Sequence, residues 1–202
     1  MNVKRLLFFH QGEFSNTNES VLDQFRMKLP NAELHCVDIN NLIKARPLTV
    51  IANLIHAGLY YGFDLILRKR DLDDSFFSTG YIFKQVRQMA LAEHYSWPAD
   101  CSFQTQSIFD CSSPGIPHFV YTDHTYESRK EYPVYGKAIW ASTRRDWLID
   151  LERKVYKHAS CVFTMSENVT RTLIDNYGMP PDRVLCVGAG SNASVDELLK
   201  IP

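Results

Sequence analysis

The sequence predicts an α/β fold: a single doubly wound Rossmann-like domain with a mainly parallel sheet and helices on both faces. Three observations carry that prediction. Short apolar runs alternate with longer helix-like stretches along all 202 residues, the pattern of a parallel sheet covered on each side. The clearest unit lies near the end. Residues 161–165 are an apolar run suited to a strand buried on both faces, and residues 183–187 are another. Between them Ser166 supplies an N-cap, Val169, Leu173 and Ile174 recur at helical spacing, and Gly178 with Pro180 and Pro181 stops the helix. Strand, helix and strand within about 30 residues form a βαβ unit, whose strands are parallel. Finally, no repeat, low-complexity tract or linker divides the chain, so residues 1–202 read as one domain.

Taken in order, residues 4–10 are the first strand, and the loop 11–17 leads into a helix closed by Pro30. Residues 33–39 are the second strand. Residues 48–61 are helical, with Leu48, Ile51, Leu54, Ile55 and Leu59 on one side and Gly62 as the stop. Residues 63–67 read as a strand, 68–74 as a charged loop, and 76–95 as one long helix ended by Trp97 and Pro98. Residues 103–109 alternate weakly as a strand; Ser113-Pro114-Gly115 is a turn. His118 to Thr122 is a strand, 123–135 a polar, aromatic loop broken by Pro133. The helix from Ser142 to His158 turns Trp147, Leu148, Leu151 and Val155 inward, and the closing βαβ unit follows.

Composition excludes several classes. A formal net charge of −1 is not that of a nucleic-acid binder, and the basic runs 68–70 and 144–145 sit beside acidic residues as solvated surface would. The five cysteines are odd in number and lack zinc-ligand spacing. Cys36, Cys161 and Cys186 fall within predicted strands, so the expectation is reduced, mostly buried thiols in a reducing, cytoplasmic setting. Residues 6–9 are too short an apolar run for a signal peptide. The apolar helix 48–61 is too short to span a bilayer, which leaves weak peripheral contact at the inner face of the membrane as the only membrane association expected. The glycosylation-type matches at Asn18, Asn168 and Asn192 are chance hits in such a chain.

The stretches Ala159-Ser160-Cys161-Val162-Phe163-Thr164-Met165-Ser166-Glu167 and Tyr177-Gly178-Met179-Pro180-Pro181-Asp182-Arg183-Val184 resemble the close of the N-terminal domain of group 1 (family 4) glycosyltransferases. There a strand ending in Ser precedes a helix, a Tyr-Gly-x-Pro turn, and the strand leading into a second domain. The resemblance implies the N-terminal, acceptor-side domain of a GT-B enzyme. Such an enzyme transfers a hexosyl-type sugar from a nucleotide-diphosphate donor, with retention, to a glycan, lipid or small-molecule acceptor. It implies no cofactor and no metal. It also places the donor base, the ribose and the basic residues that meet the departing diphosphate in a C-terminal domain absent from these 202 residues. On this expectation the chain is a fragment, inactive alone. The rival expectation is a stand-alone Rossmann-like binding or regulatory module.

In an open parallel sheet, ligands bind beyond the carboxyl ends of the strands, which selects the loops after His10, Thr122, Met165 and Val187. The first opens a helix whose N-terminal amides suit an anion. The resemblance puts Gly12 near the donor diphosphate, yet Glu13 repels phosphate and a plain turn role fits Gly12 equally. Asp123 and His124 leave a strand together, where burial and mutual charge tune both. The family has a His in this loop facing the transferred sugar. Counted from Pro117, Asp123 takes that His position, so both residues are catalytic candidates, against a turn cap and a surface histidine. Tyr126, Glu127 and Arg129 suit contact with the acceptor, as they would suit an exposed loop. Ser166 caps its helix and borders the cleft; Asn168 and Arg171 face its first turn. Gly188 and Gly190 open a G-x-G-x-x-A match to the dinucleotide fingerprint. The resemblance instead makes them the crossing toward the second domain, at the donor side of the cleft. Asp71-Leu72-Asp73, with Asp74, matches a metal-holding D-x-D, but neighbouring Arg68, Lys69 and Arg70 neutralise it more simply.

Overall fold

The structure, a computed structural model, describes residues 3–14, 17–128 and 142–189. Its elements run β1 (Arg5–His10), α1 (Thr17–Lys28), β2 (Glu33–Asp38), α2 (Ile39–Lys44), α3 (Pro47–Ile66), α4 (Leu72–Phe76), α5 (Gly80–Ser96), β3 (Cys101–Thr105), β4 (His118–Thr122), α6 (Ser142–His158), β5 (Cys161–Thr164), α7 (Glu167–Asp175) and β6 (Val184–Cys186). The six strands form one sheet in the order β2-β1-β3-β4-β5-β6, every neighbouring pair parallel. The Rossmann-like α/β architecture is therefore present.

Register sorts the side chains into two layers. Phe9, Gln104, Val120, Val162 and Val184 stand in line across the sheet. On that face the core continues into Ile39 and Ile43 of α2, Ile82, Val86 and Met89 of α5, Leu148 and Val155 of α6, and Val169 and Leu173 of α7. On the other face Phe8 stacks on Phe103 at 5.9 Å, and Phe25 of α1 meets Phe103 edge-on at 5.0 Å. These aromatic contacts add to the burial of Leu6, Leu22 and Tyr121.

Several elements differ from expectation for identifiable reasons. Gly62 does not stop α3, and residues 63–67 are not a strand but the end of that helix. Phe63 and Ile66 continue its 3.6-residue period, and one glycine costs a helix only about 1 kcal/mol. The long helix expected over 76–95 is two pieces. Thr79 takes an extended conformation and caps α5, accepting from the Ile82 N–H at 3.2 Å. The strand expected over 103–109 runs from Cys101 to Thr105, because Gln106 turns the chain with φ at 67°. Trp147 does not point fully inward: it lies at the rim, edge-on to Phe83, while Ile149, Glu152 and Tyr156 join the inward face of α6. Arg70 is buried rather than solvated. It lies over the Tyr61 ring at 4.2 Å and donates to the Asp74 carbonyl at 2.9 Å and Ser78 Oγ at 2.7 Å.

The cysteine expectation is also corrected. Cys36 and Cys186 are exposed and Cys161 is half-buried, whereas Cys101 and Cys111 are the buried pair. Cys36 and Cys186 lie on β2 and β6, the two edges of the sheet, where a strand lacks cover on one flank. All five thiols are free.

Candidate functional site

A sheet of this order changes direction between β1 and β3, so its crevice opens beyond the carboxyl ends of those strands. A cleft of about 140 Å³ lies there. One wall is Gln11, following β1, with Asp73, Asp74, Phe77 and Ser78 from the α4 region. The other is Ser107 and Ile108 following β3, His124 and Tyr126 following β4, and Glu152 of α6. The loop after β3 was missing from the four that the sequence selects, because its strand was drawn through to Phe109.

The β4 loop is tightly held. The Thr122 hydroxyl donates to the His124 carbonyl at 2.8 Å. Thr125 and Ser128 exchange bonds, Thr125 N–H to Ser128 Oγ at 3.0 Å and Ser128 N–H to Thr125 Oγ1 at 3.0 Å. Within this turn His124 Nδ1 lies 2.5 Å from Asp123 Oδ1, both side chains partly open to solvent. A carboxylate at Nδ1 orients the imidazole ring and favours a proton on that nitrogen.

Glu152 anchors the loop from beneath, and sequence reasoning missed it. The residue is 2% exposed. Its Oε1 accepts from the Ser107 hydroxyl at 2.7 Å and the Tyr156 hydroxyl at 3.0 Å. Its Oε2 accepts from the Tyr126 N–H at 2.9 Å and from the Tyr177 hydroxyl. Burial raises its carboxyl above the usual range while these donors pull it back; the Tyr177 and Tyr156 hydroxyls are raised well above theirs, again by burial first. The signal in the sequence was a glutamate on the apolar stripe of its helix, between Leu148 and Tyr156. Tyr177 of the Tyr-Gly-x-Pro turn reaches the same loop, receiving the Glu127 N–H at 3.2 Å.

The remaining sequence candidates divide. Gly12 has φ at 57°; its N–H donates to Asp38 Oδ1 at 3.1 Å and its carbonyl accepts from Asn18 Nδ2 at 2.9 Å. An added Cβ would sit 3.0 Å from Asn40 Nδ2, so the turn itself requires glycine. Ser166 caps α7, accepting from the Val169 N–H at 3.4 Å. Gly188 has φ at 77° and accepts from the Tyr121 hydroxyl at 2.9 Å. Ser166 and Gly188 lie at the carboxyl ends of β5 and β6 and do not line this cleft. Tyr126 lines it, and Glu127 stands beside it half-buried. Arg129 and Gly190 lie outside the described residues. Among the described residues no cluster of three or more His, Cys, Asp or Glu is placed to hold a metal ion.

No curated protein matches the chain. Residues 94–193 do match a family, described as Glycosyltransferase Family 4. That stretch contains β3 to β6, the Asp123-His124 turn, Glu152 and Tyr177, and it is this part of the chain that is similar to Glycosyltransferase Family 4.

Proposed function

We propose that this chain is the acceptor-side, N-terminal domain of a retaining GT-B glycosyltransferase. It would move a sugar from a nucleotide-diphosphate donor to a glycan, lipid or small-molecule acceptor, in the cytoplasm. The observation that carries the reading is the placement of the Asp123-bound His124 in the wall of the switch-point cleft, inside the stretch that matches the family. A small-molecule pocket usually measures about 300–1,000 Å³, so a cleft of about 140 Å³ suits one side of an interdomain site better than a complete one. A second Rossmann-like domain would supply the donor base, the ribose and the cations that meet the departing diphosphate.

In this arrangement Asp123 holds Nδ1 of His124, and the imidazole hydrogen-bonds the sugar at the reacting centre. Glu152 positions that turn through the Tyr126 N–H, so the geometry is set before substrate arrives. Tyr126, Glu127 and Arg129 would meet the acceptor. Gly12, Ser166, Gly188 and Gly190 would lie toward the donor, Gly12 and Ser166 through the turn and the cap they form.

The test is His124→Ala and Asp123→Ala in the two-domain enzyme, with turnover read as nucleoside diphosphate released from nucleotide sugars. A lost transition-state hydrogen bond costs about 100- to 1000-fold in rate, whereas a partly exposed polar substitution changes stability by only about 0.5 kcal/mol. Large rate losses at unchanged melting temperature are expected. Near-wild-type turnover in both variants would make this turn scaffolding. The isolated chain is expected to fold and release no nucleotide; turnover by the chain alone would defeat the two-domain reading.

A further inference from the structure

Helix α3 is amphipathic in the inverted sense. Its inward face is small and polar: Thr49, Asn53, Ala57 and Tyr61 are buried, with Asn53 donating to the Phe76 carbonyl at 2.8 Å and Tyr61 to the Ser78 carbonyl at 2.6 Å. Its outward face is apolar. Leu48, Ile51, Ile55, Leu59, Phe63 and Ile66 follow one another three or four residues apart and so form one strip. Leu48, Leu59 and Ile66 are 81%, 79% and 80% exposed. At 1.5 Å per residue the strip is about 27 Å long. Isolated apolar residues on a surface are ordinary, but a contiguous strip of this kind marks an interaction surface.

Charge identifies the partner. No charged residue interrupts the strip, and cations stand at both of its ends: Lys44 and Arg46 before α3, Arg68 and Lys69 after it, all exposed. The carboxylate within the helix, Asp64, lies toward the inward side. Asp71 and Asp73 follow in the α4 region, where Asp73 turns to the cleft. Two-fold pairing of the strip with a second copy would set cation against cation, whether the helices ran parallel or antiparallel. A bilayer surface has no such conflict. Its acyl boundary accepts the apolar side chains, and anionic headgroups meet the cations at each end. No helix among the described residues is long and apolar enough to cross a membrane.

We propose that α3 is a membrane-docking element that lies in the plane of an anionic lipid surface, with Leu48 to Ile66 immersed at the headgroup boundary and Lys44, Arg46, Arg68 and Lys69 on the headgroups. This inference is independent of the reading of the cleft.

The experiment is sedimentation of the whole chain with phosphatidylcholine vesicles, with and without about one-third phosphatidylglycerol. Binding to the anionic vesicles is expected, weakening as salt is raised. Leu59→Asp combined with Phe63→Ser, both at exposed positions, should lower the bound fraction about tenfold or more at unchanged melting temperature. Lys44→Gln combined with Arg46→Gln should lower binding to the anionic vesicles specifically. A chain that stays in solution with both vesicle types overturns the proposal, as does undiminished binding by the apolar double variant. Equal binding to neutral and anionic vesicles overturns the lipid assignment. A solution dimer that the apolar double variant dissolves would make the strip a self-association face instead.

Discussion

Replacing Glu152 separates two roles that its carboxylate performs at once. Glu152→Ala removes the buried acceptor of four donors behind the cleft wall: the Tyr126 N–H and the hydroxyls of Ser107, Tyr156 and Tyr177. Hydroxyls can rotate toward other acceptors, but the Tyr126 N–H cannot. An orphaned buried donor costs about 1–3 kcal/mol, and the vacated volume adds to it. The expected loss is therefore about 3 kcal/mol or more, a large part of a domain stability of about 5–15 kcal/mol. Glu152→Gln fills the same volume. Its amide oxygen can face the Tyr126 N–H and the Tyr177 hydroxyl, and its NH₂ can donate to Ser107 and Tyr156, which accept as readily as they donate. That variant should lose only about 1 kcal/mol at acid pH.

The pH dependence gives a second readout. The Glu152 carboxyl is raised in the folded protein, so the folded chain binds its proton more tightly than the unfolded chain does. Its contribution to stability is then fully present below the ordinary value of 4.5 and is lost as pH rises through the folded value. Glutamine has no such loss. Urea unfolding of both proteins from pH 4 to pH 8 should show the gap between them close, and even reverse, as pH rises, by at most about 1.4 kcal/mol per unit. Parallel curves would refute the burial argument. Equal damage by alanine and glutamine would refute the four-donor account.

Two further predictions rest on the interior and the sheet edges. His118 is fully buried between Ser102 Oγ at 2.7 Å and Gln104 Oε1 at 2.9 Å, and burial drives it down to about 3 from 6.5. Its stabilising share is present above pH 6.5 and lost as pH falls toward 3. His118→Gln should flatten that acid slope by up to roughly 1.4 kcal/mol per unit, and an unchanged slope in urea titrations would contradict it. Thiol labelling of the native chain should modify Cys186 and Cys36 first, Cys36 more slowly because partial burial pushes its thiol up. Cys101 and Cys111 should react only after denaturation; rapid labelling of all five would contradict the packing.

What the sequence made legible was whatever depends on local pattern. The strand His118 to Thr122, the helix Ser142 to His158 and the Ser166 cap stand where their residues place them. Errors arose where a tertiary contact outweighs local preference. Hydrophobicity alone groups the α3 strip on one side of its helix without saying which way it faces, and hydrogen bonds from Asn53 and Tyr61 turn the opposite face inward. The break before α5 depends on Thr79, whose hydroxyl binds Asn53 from a different helix. Glu152 was hidden for the same reason: its four partners come from positions 107, 126, 156 and 177, which only the folded sheet brings together.

That convergence bears on how the site divides its labour. Ser107, His124, Tyr126 and Glu152 all belong to the stretch matched by the family, and the Glu152 carboxylate ties the β3 loop, the β4 turn and Tyr177 into one rigid wall. Opposite it stand Gln11, Asp73, Asp74, Phe77 and Ser78, which precede residue 94 and lie outside that match. This second wall is organised by Arg70, which lies over the Tyr61 ring and donates to the Asp74 carbonyl and Ser78 Oγ. On the second wall two carboxylates and an aromatic ring face the cleft. Because Tyr61 is the inner anchor of α3, that wall is also coupled to the helix whose outer strip is apolar and exposed.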